Sequence, residues 1–286
     1  MFSTATGGPL LAHAVVEWQV GHGRHELPWQ NTQDPYRVWL SEIMLQQTQV
    51  VTVLGYFARF LDRFPDVAAL AQASLDEVLG IWSGLGYYSR ARNLHRCAQA
   101  VMSDHAGQFP RTAQQLQALP GIGRSTAAAI ASLCFGERVA ILDGNVKRVL
   151  TRCLGYGADL AVTGNERRLW QLAQAVLPNH DLAHQMPLYT QGMMDLGATV
   201  CTTHKPACAR CPLQGQCLAH AAGKAQDYPV NTRRTVRSTQ SLWLLWAHTQ
   251  AGALWLCQRP TPGIWAGLYC FALFDGYEDL QLALPA

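Results

Sequence analysis

The chain has no stretch of about eighteen uncharged apolar residues, so nothing in it spans a membrane as a helix. Its N-terminus has no basic segment followed by an apolar one, so no secretory signal is visible. There is no internal repeat, which sets aside solenoids and propellers. Even pairing of cysteine is also missing: the nine cysteines are odd in number, and four of them crowd into residues 201–217. That pattern excludes a disulfide framework and points to a reducing compartment and a metal site. What remains is a chain of 286 residues with an apolar share of 49%, long enough for two domains.

Net charge is only +3, but it is unevenly placed. Residues 86–152 hold nine Arg and Lys against three Asp and Glu, a net of +6, leaving −3 for the rest of the chain. A solvated helix face would mix the signs more evenly, and a concentrated positive face suits phosphate.

The positive segment contains Leu119–Arg152, LPGIGRSTAAAIASLCFGERVAILDGNVKRVLTR. Pro120, Gly121 and Gly123 break any helix, and a strong helix-forming run, Ser125 to Leu133, follows at once. Leu119–Gly123 therefore reads as a tight hairpin whose backbone amides open onto a helix start, an arrangement that suits an anion. Further on, Asp143 precedes Gly144, Asn145 and another helical run, and is a natural N-cap. Taken alone, this is equally a loop between core helices with an ordinary capping aspartate.

The chain otherwise reads as mainly helical up to about residue 221. Residues 1–9 are expected to be disordered, and Leu10 to Val20 helical. Asp34-Pro35 opens a helix over about Tyr36 to Gln47, with Glu42 set among Val38, Leu40, Ile43, Met44 and Leu45. A second helix continues from Thr48. Ser74–Glu77 and Thr163–Glu166 each read as a capping box. Tyr87 to Ala106 forms a long helix bearing Arg90, Arg92 and Arg96, and Leu182 to Thr199 leads into the cysteines. The chain then changes character: residues 223–240 read as a linker, basic over Pro229 to Ser238. Ser241–Ala247, Ala253–Cys257 and Leu268–Phe274 read as three strands, too few to bury a core of their own.

Cys201, Cys208, Cys211 and Cys217 give the spacing C-x6-C-x2-C-x5-C. Four thiolates this close can wrap one compact ion or cluster. Structural zinc is the alternative, but zinc ribbons bring two close C-x-x-C pairs, and one pair with wider arms fits a cubane better. The other five cysteines read as ordinary core residues.

The hairpin with Asp143, the helix with Glu42 and the cysteine spacing, carried by the strings WLSEIMLQQTQV, GLGYYSRARNL, LPGIGRSTAAAI and LDGNVKRVL, resemble the adenine DNA glycosylase (MutY) family of the endonuclease III superfamily. The resemblance covers residues 10–222. It implies a two-lobed helix-hairpin-helix fold with one [4Fe–4S] cluster on the loop 201–217, held by the four cysteines. It implies hydrolysis of the glycosidic bond of adenine mispaired with 8-oxoguanine or guanine in double-stranded DNA. Glu42 would be the acid and base, Asp143 the carboxylate beneath the sugar cation, and Asn145 a hydrogen-bonding neighbour. Gln47 and Tyr87 match side chains inserted into the helix when adenine is flipped out. Leu119, Gly121, Gly123, Arg124, Ser125 and Lys147 would meet the DNA, and Arg24, Trp29 and Arg37 would line the pocket. Lyase relatives carry a lysine where Ser125 stands, so a monofunctional glycosylase is expected. Residues 241–286 resemble the opening of a Nudix-like domain; its oxidised-base loop and a Nudix catalytic box have no counterpart here, so weak discrimination between A:8-oxoG and A:G is expected. The competing readings are an endonuclease III-type lyase and a non-enzymatic DNA-binding module. A bacterial cytoplasmic monomer, associated with the nucleoid through DNA, completes the expectation.

Overall fold

The computed structural model describes residues 4–30, 32–233 and 239–284. Among them the helices are α1 (Thr4–His22), α2 (Pro35–Met44), α3 (Val50–Arg63), α4 (Val67–Gln72), α5 (Leu75–Trp82), α6 (Ser89–His105), α7 (Ala113–Leu116), α8 (Arg124–Phe135), α9 (Gly144–Cys153), α10 (Thr163–Ala175), α11 (Leu182–Thr199), α12 (Leu218–Ala221) and α13 (Tyr277–Ala283). None of the described helices is long and apolar enough to cross a membrane.

The helices form two lobes around two cores. The first packs Trp39, Met44, Phe57, Phe60, Trp82, Leu94 and Leu116 from α2 to α7. The second packs Leu11, Val15, Val149, Leu150, Leu169, Met193 and Leu196 from α1, α9, α10 and α11. Helix α8 belongs to both: Ala127, Ile130 and Ala131 enter the first core, and Ala128 and Ala129 the second. Its sequence RSTAAAIASLCF explains this, because small side chains on every face let α2 and α11 approach from opposite sides. The cleft between the lobes lies beside this shared helix.

Local chemistry sets most boundaries. Asp34 caps α2 by accepting from the Tyr36 amide at 2.9 Å, with Pro35 in the first turn. Ser74 and Glu77 form the reciprocal capping box of α5. The Thr163–Glu166 box does not form: Val162 precedes α10, Thr163 is already helical, and Glu166 is drawn away to pair with Lys147. Helix α1 starts at Thr4, so residues 4–9 are helical where disorder was expected; residues 1–3 lie outside the described residues. Apolar periodicity marks the part of a helix that packs, and the helix runs on past it.

Two expected boundaries move for a single reason. Helix α2 stops at Met44 instead of Gln47, and α6 starts at Ser89 instead of Tyr87. Gln47 (φ 57°) and Tyr87 (φ 49°) both take the left-handed conformation, which no helix accommodates.

The linker reading also needs correction over 229–233. Leu160 donates to the Val230 carbonyl at 3.0 Å, and the Thr232 amide donates to Asp159 at 3.0 Å, so this stretch is tied to the second lobe. Residues 234–238 lie outside the described residues. Beyond them are four short strands in place of three: β1 (Trp243–Leu245), β2 (Cys257–Gln258), β3 (Tyr269–Cys270) and β4 (Ala272–Phe274). β1 pairs antiparallel with β4, Trp243 opposite Phe274, and β2 with β3, Cys257 opposite Cys270. The expected strand at 253–257 shrinks to a bridge between His248 and Leu254. Helix α13, unexpected from the sequence, lies on β1 with the Tyr277 ring 4.9 Å from that of Trp243. The segment docks on the first lobe through Leu268, and Arg92 donates to the Ala266 carbonyl at 2.6 Å.

Candidate active site

A cleft of about 930 Å³ opens between the lobes, and Glu42 and Asp143 both line it. Glu42 comes from α2, whose Val38, Trp39, Leu40, Ile43 and Met44 are buried around it. Desolvation by these neighbours, and secondarily the nearby Asp143 charge, pushes the Glu42 carboxyl up to about 7. At neutral pH it is therefore poised between acid and base.

Asp143 sits at the N-cap of α9, accepting from the Val146 amide at 2.7 Å. Burial raises this carboxyl too, but the Val146 amide, the Arg148 guanidinium and Asn145 all act to hold the charged form. No such stabilising partner acts on Glu42, so of the pair Asp143 gives up its proton first. Asn145 is fixed in turn: Arg148 donates to its Oδ1 at 2.8 Å. Gly197 of α11 lies against Asn145, and a Cβ there would come within 2.6 Å of the Asn145 Cβ, so only glycine lets the two helices meet at this point.

Of the three residues expected to line the pocket, two are placed in the cleft wall. Trp29 and Arg24 line the cleft; Trp29 is buried edge-on against Phe57, ring centroids 5.2 Å apart. Arg24 donates through Nε at 2.8 Å to Asp195, which is wholly buried and also accepts from Gln19 at 3.2 Å and Gln191 at 3.0 Å. Arg37 does not belong to the site: it is exposed, reaches back toward Asp34 at 3.7 Å, and is no part of the cleft wall. At helical spacing it falls about 140° around α2 from Glu42, five residues on. Sequence reasoning missed Gln191 and Asp195, which lie far along the chain from the residues they serve, and Arg148, which stands within LDGNVKRVL itself. The only local signal is a polar residue repeating at i and i+4 on α11.

The hairpin is as expected in outline. Gly121 (φ 76°) makes the turn, and a Cβ there would stand 2.5 Å from the Asn93 Cβ. Gly123 caps α8 without a side-chain bond, leaving the first-turn amides facing outward. Arg124 is exposed and stacked over the Trp170 ring at 3.9 Å. Leu119 is corrected: its side chain is buried in the first core and its amide already donates to the Leu116 carbonyl, so it shapes the turn from within. Ser125 lines the cleft, and its hydroxyl accepts from the Leu142 amide at 3.1 Å. Lys147 is corrected as well. It forms an ion pair with Glu166 of α10 and is no part of the cleft wall. Gln47 and Tyr87 are both exposed, and Gln47 stands on the cleft rim.

Cys201, Cys208, Cys211 and Cys217 line one small cavity together with Arg152, Val200 and Pro206. Arg152 donates to the Cys201 Sγ at 3.4 Å and to the Thr202 carbonyl at 2.7 Å, and Arg148 to the Cys201 carbonyl at 2.7 Å. Among the described residues no three His, Cys, Asp or Glu side chains are grouped as a single metal ion would need.

Comparison with known proteins decides the family. Residues 40–175 match the family model described as HhH-GPD superfamily base excision DNA repair protein. An adenine DNA glycosylase of Buchnera aphidicola subsp. Acyrthosiphon pisum (strain APS) is 40% identical over 276 residues, 96% of this chain and 77% of that protein. The chain belongs to the adenine DNA glycosylase family. The Mus musculus adenine DNA glycosylase is 46% identical over 206 residues, 69% of this chain and 39% of that longer protein. Among solved structures, a thermostable thymine-DNA glycosylase superposes with a TM-score of 0.67 at 27% identity, over 77% of this chain and 99% of its own. As an adenine DNA glycosylase the chain is a base-excision-repair enzyme with a helix-hairpin-helix fold.

Proposed function

We propose that the chain hydrolyses the N-glycosidic bond of adenine paired with 8-oxoguanine or guanine in double-stranded DNA, and that it does so without cutting the backbone. The observation carrying this reading is the unequal carboxyl pair in one cleft, Glu42 raised to about 7 and Asp143 held toward its charged form.

Adenine leaves readily only once a ring nitrogen is protonated. Glu42, partly protonated at neutral pH, gives its proton to that nitrogen; the C1′–N9 bond breaks and its electron pair departs with the base. The sugar carries the positive charge left behind, and the Asp143 carboxylate, kept ionised by Val146, Asn145 and Arg148, offsets it. Water then adds at C1′ and its proton returns to the Glu42 carboxylate, which closes the cycle. Arg24 and Gln191, both anchored on Asp195, present fixed polar groups to the base. The hairpin amides and Arg124 hold phosphate, while Gln47 and Tyr87 fill the space that the extruded adenine leaves.

A covalent lyase step needs an amine beside the sugar. Ser125 offers a hydroxyl engaged with Leu142, and Lys147 is occupied by Glu166. Both support a monofunctional enzyme.

The four cysteines would hold one [4Fe–4S] cluster. The ring of thiols around one cavity, with Arg152 directed at Cys201, fits a group larger than one ion and of negative total charge. When bound it supplies structure and a redox centre, and no step above passes through it. Domain limits of 10–222 for the catalytic part and 241–286 for a Nudix-like segment, action as a monomer, and a place on the chromosome in the bacterial cytoplasm complete the proposal.

The test is product analysis on duplexes bearing A:8-oxoG, A:G or thymine glycol. Free adenine from the first two, with strands intact until heated in alkali, is expected. Strand nicking that disappears in Lys147→Ala, or release from thymine glycol alone, contradicts the proposal.

A further inference from the structure

Arg90 is buried, yet no carboxylate pairs with it among the described residues. Its charge is met by neutral oxygens. Nη1 donates to the carbonyls of Ile43 and Met44 at 2.9 Å each and of Gln46 at 2.7 Å. Nη2 donates to the carbonyls of Leu85 and Gly86 at 3.2 Å each and to the Thr48 hydroxyl at 3.1 Å. One face of the fork therefore serves the end of α2, where the helix leaves carbonyls unsatisfied and a cation is favoured. The other serves the turn before α6. The same guanidinium lies 5.5 Å from the Tyr87 ring centroid.

These two turns carry Gln47 and Tyr87, both in the left-handed region that non-glycine residues rarely adopt. Neither side chain is buried, so packing does not select that conformation. What the turns share is Arg90.

We propose that Arg90 is a positioning residue that locks the 45–48 and 85–88 turns together, setting Gln47 and Tyr87 as one rigid pair before DNA arrives. This rests on the reading of Gln47 and Tyr87 as inserted side chains. Preorganisation matters here because unstacking a base is unfavourable, and a wedge that must first be ordered adds to that cost. Lysine cannot replace Arg90: an ammonium is a point donor and cannot span both turns.

The experiment places 2-aminopurine at the target adenine opposite guanine, in a Glu42→Gln background so that the base stays attached, and reads the fluorescence rise on flipping. Arg90→Lys should cut the flipped population about ten-fold while binding to undamaged duplex changes only about two-fold. The Arg90→Lys, Tyr87→Ala double variant should match Tyr87→Ala alone, because a residue acting through another gives non-additive losses. Thr48→Val, which removes one contact and keeps the guanidinium, should show the same signature more weakly and decides the matter if Arg90→Lys does not fold. Native flipping by Arg90→Lys, or by Thr48→Val in that event, or additive losses with Tyr87→Ala, overturns the inference while leaving the insertion reading intact. Normal flipping by both Tyr87→Ala and Gln47→Ala overturns that reading, and the clamp with it.

Discussion

The two lobes each bring one carboxyl to the cleft; burial raises both, but only one of them is given partners that favour its charge. Glu42 arrives from a helix whose neighbours are apolar and offer it no donor, so burial acts unopposed. Asp143 arrives at a helix N-terminus with an amide, an asparagine and an arginine arranged around it. The groups are chemically alike; the roles proposed for them, proton donor and charge stabiliser, follow from which lobe surrounds each.

Breaking either half of this contrast should have the largest effect. Glu42→Gln removes the transferable proton and Asp143→Asn the stabilising charge, and each should lower single-turnover adenine release on the order of a thousand-fold with mispair binding retained. Rapid-quench base release checks this; a near-native rate in either variant would erase the contrast. Arg148→Gln should sharpen it more gently. It loses the bond to Asn145 and one of the supports of the Asp143 charge, for a loss of about ten-fold visible in the same assay.

How far the site could be read in advance follows from the range of its interactions. Glu42, Asp143, Asn145, Gly121 and Gly123 sit in short strings where the motif and its structural reason occupy the same few residues. Arg90, Asp195 and Gln191 were out of reach because their partners are main-chain carbonyls or side chains far along the chain. The left-handed turns at Gln47 and Tyr87 were hidden for a related cause. Local chemistry would put glycine or asparagine there, and a tertiary contact overrides it. Lys147 misled because a lysine beside a catalytic motif invites a phosphate, and only the fold reveals Glu166 beside it. In the C-terminal segment the expected strand at 241–247 shortens to 243–245, that at 253–257 leaves only a bridge and the start of β2, and that at 268–274 divides into β3 and β4. Trp243, Trp246 and Trp255 stay about half exposed or more, so no packed face extends the ladders.

The cysteine loop belongs to the Asp143 lobe and tests whether that lobe needs the proposed cluster. Purified protein should be brown with about four irons per chain, and Cys208→Ser should weaken DNA binding before it slows chemistry. Stoichiometric zinc without visible absorbance would contradict this.

Stability offers a smaller test of the same contrast. The Glu42 carboxyl is raised in the folded state, so the native protein holds a proton that the unfolded chain releases between about 4.5 and 7. Stability from this group is complete below that window and is lost as pH rises through it. Glu42→Gln, which carries no charge to bury, should therefore be more stable than the parent at pH 8 by about 3 kcal/mol, and by less than about 1 kcal/mol at pH 5. Thermal melts at the two pH values check the sign. Smallest of all should be removal of residues 239–286, which lie outside both lobes: A:G excision should persist within about three-fold, with improved solubility as the exposed tryptophans go.

The most direct measurement is the single-turnover rate of adenine release against pH from 5 to 9. An acid raised to about 7 predicts a rate that falls above an apparent midpoint near neutrality. That descending limb should vanish in Glu42→Gln, whose residual rate is flat. A parent rate that holds level to pH 9, or a limb that survives the substitution, would show that Glu42 is not the proton donor.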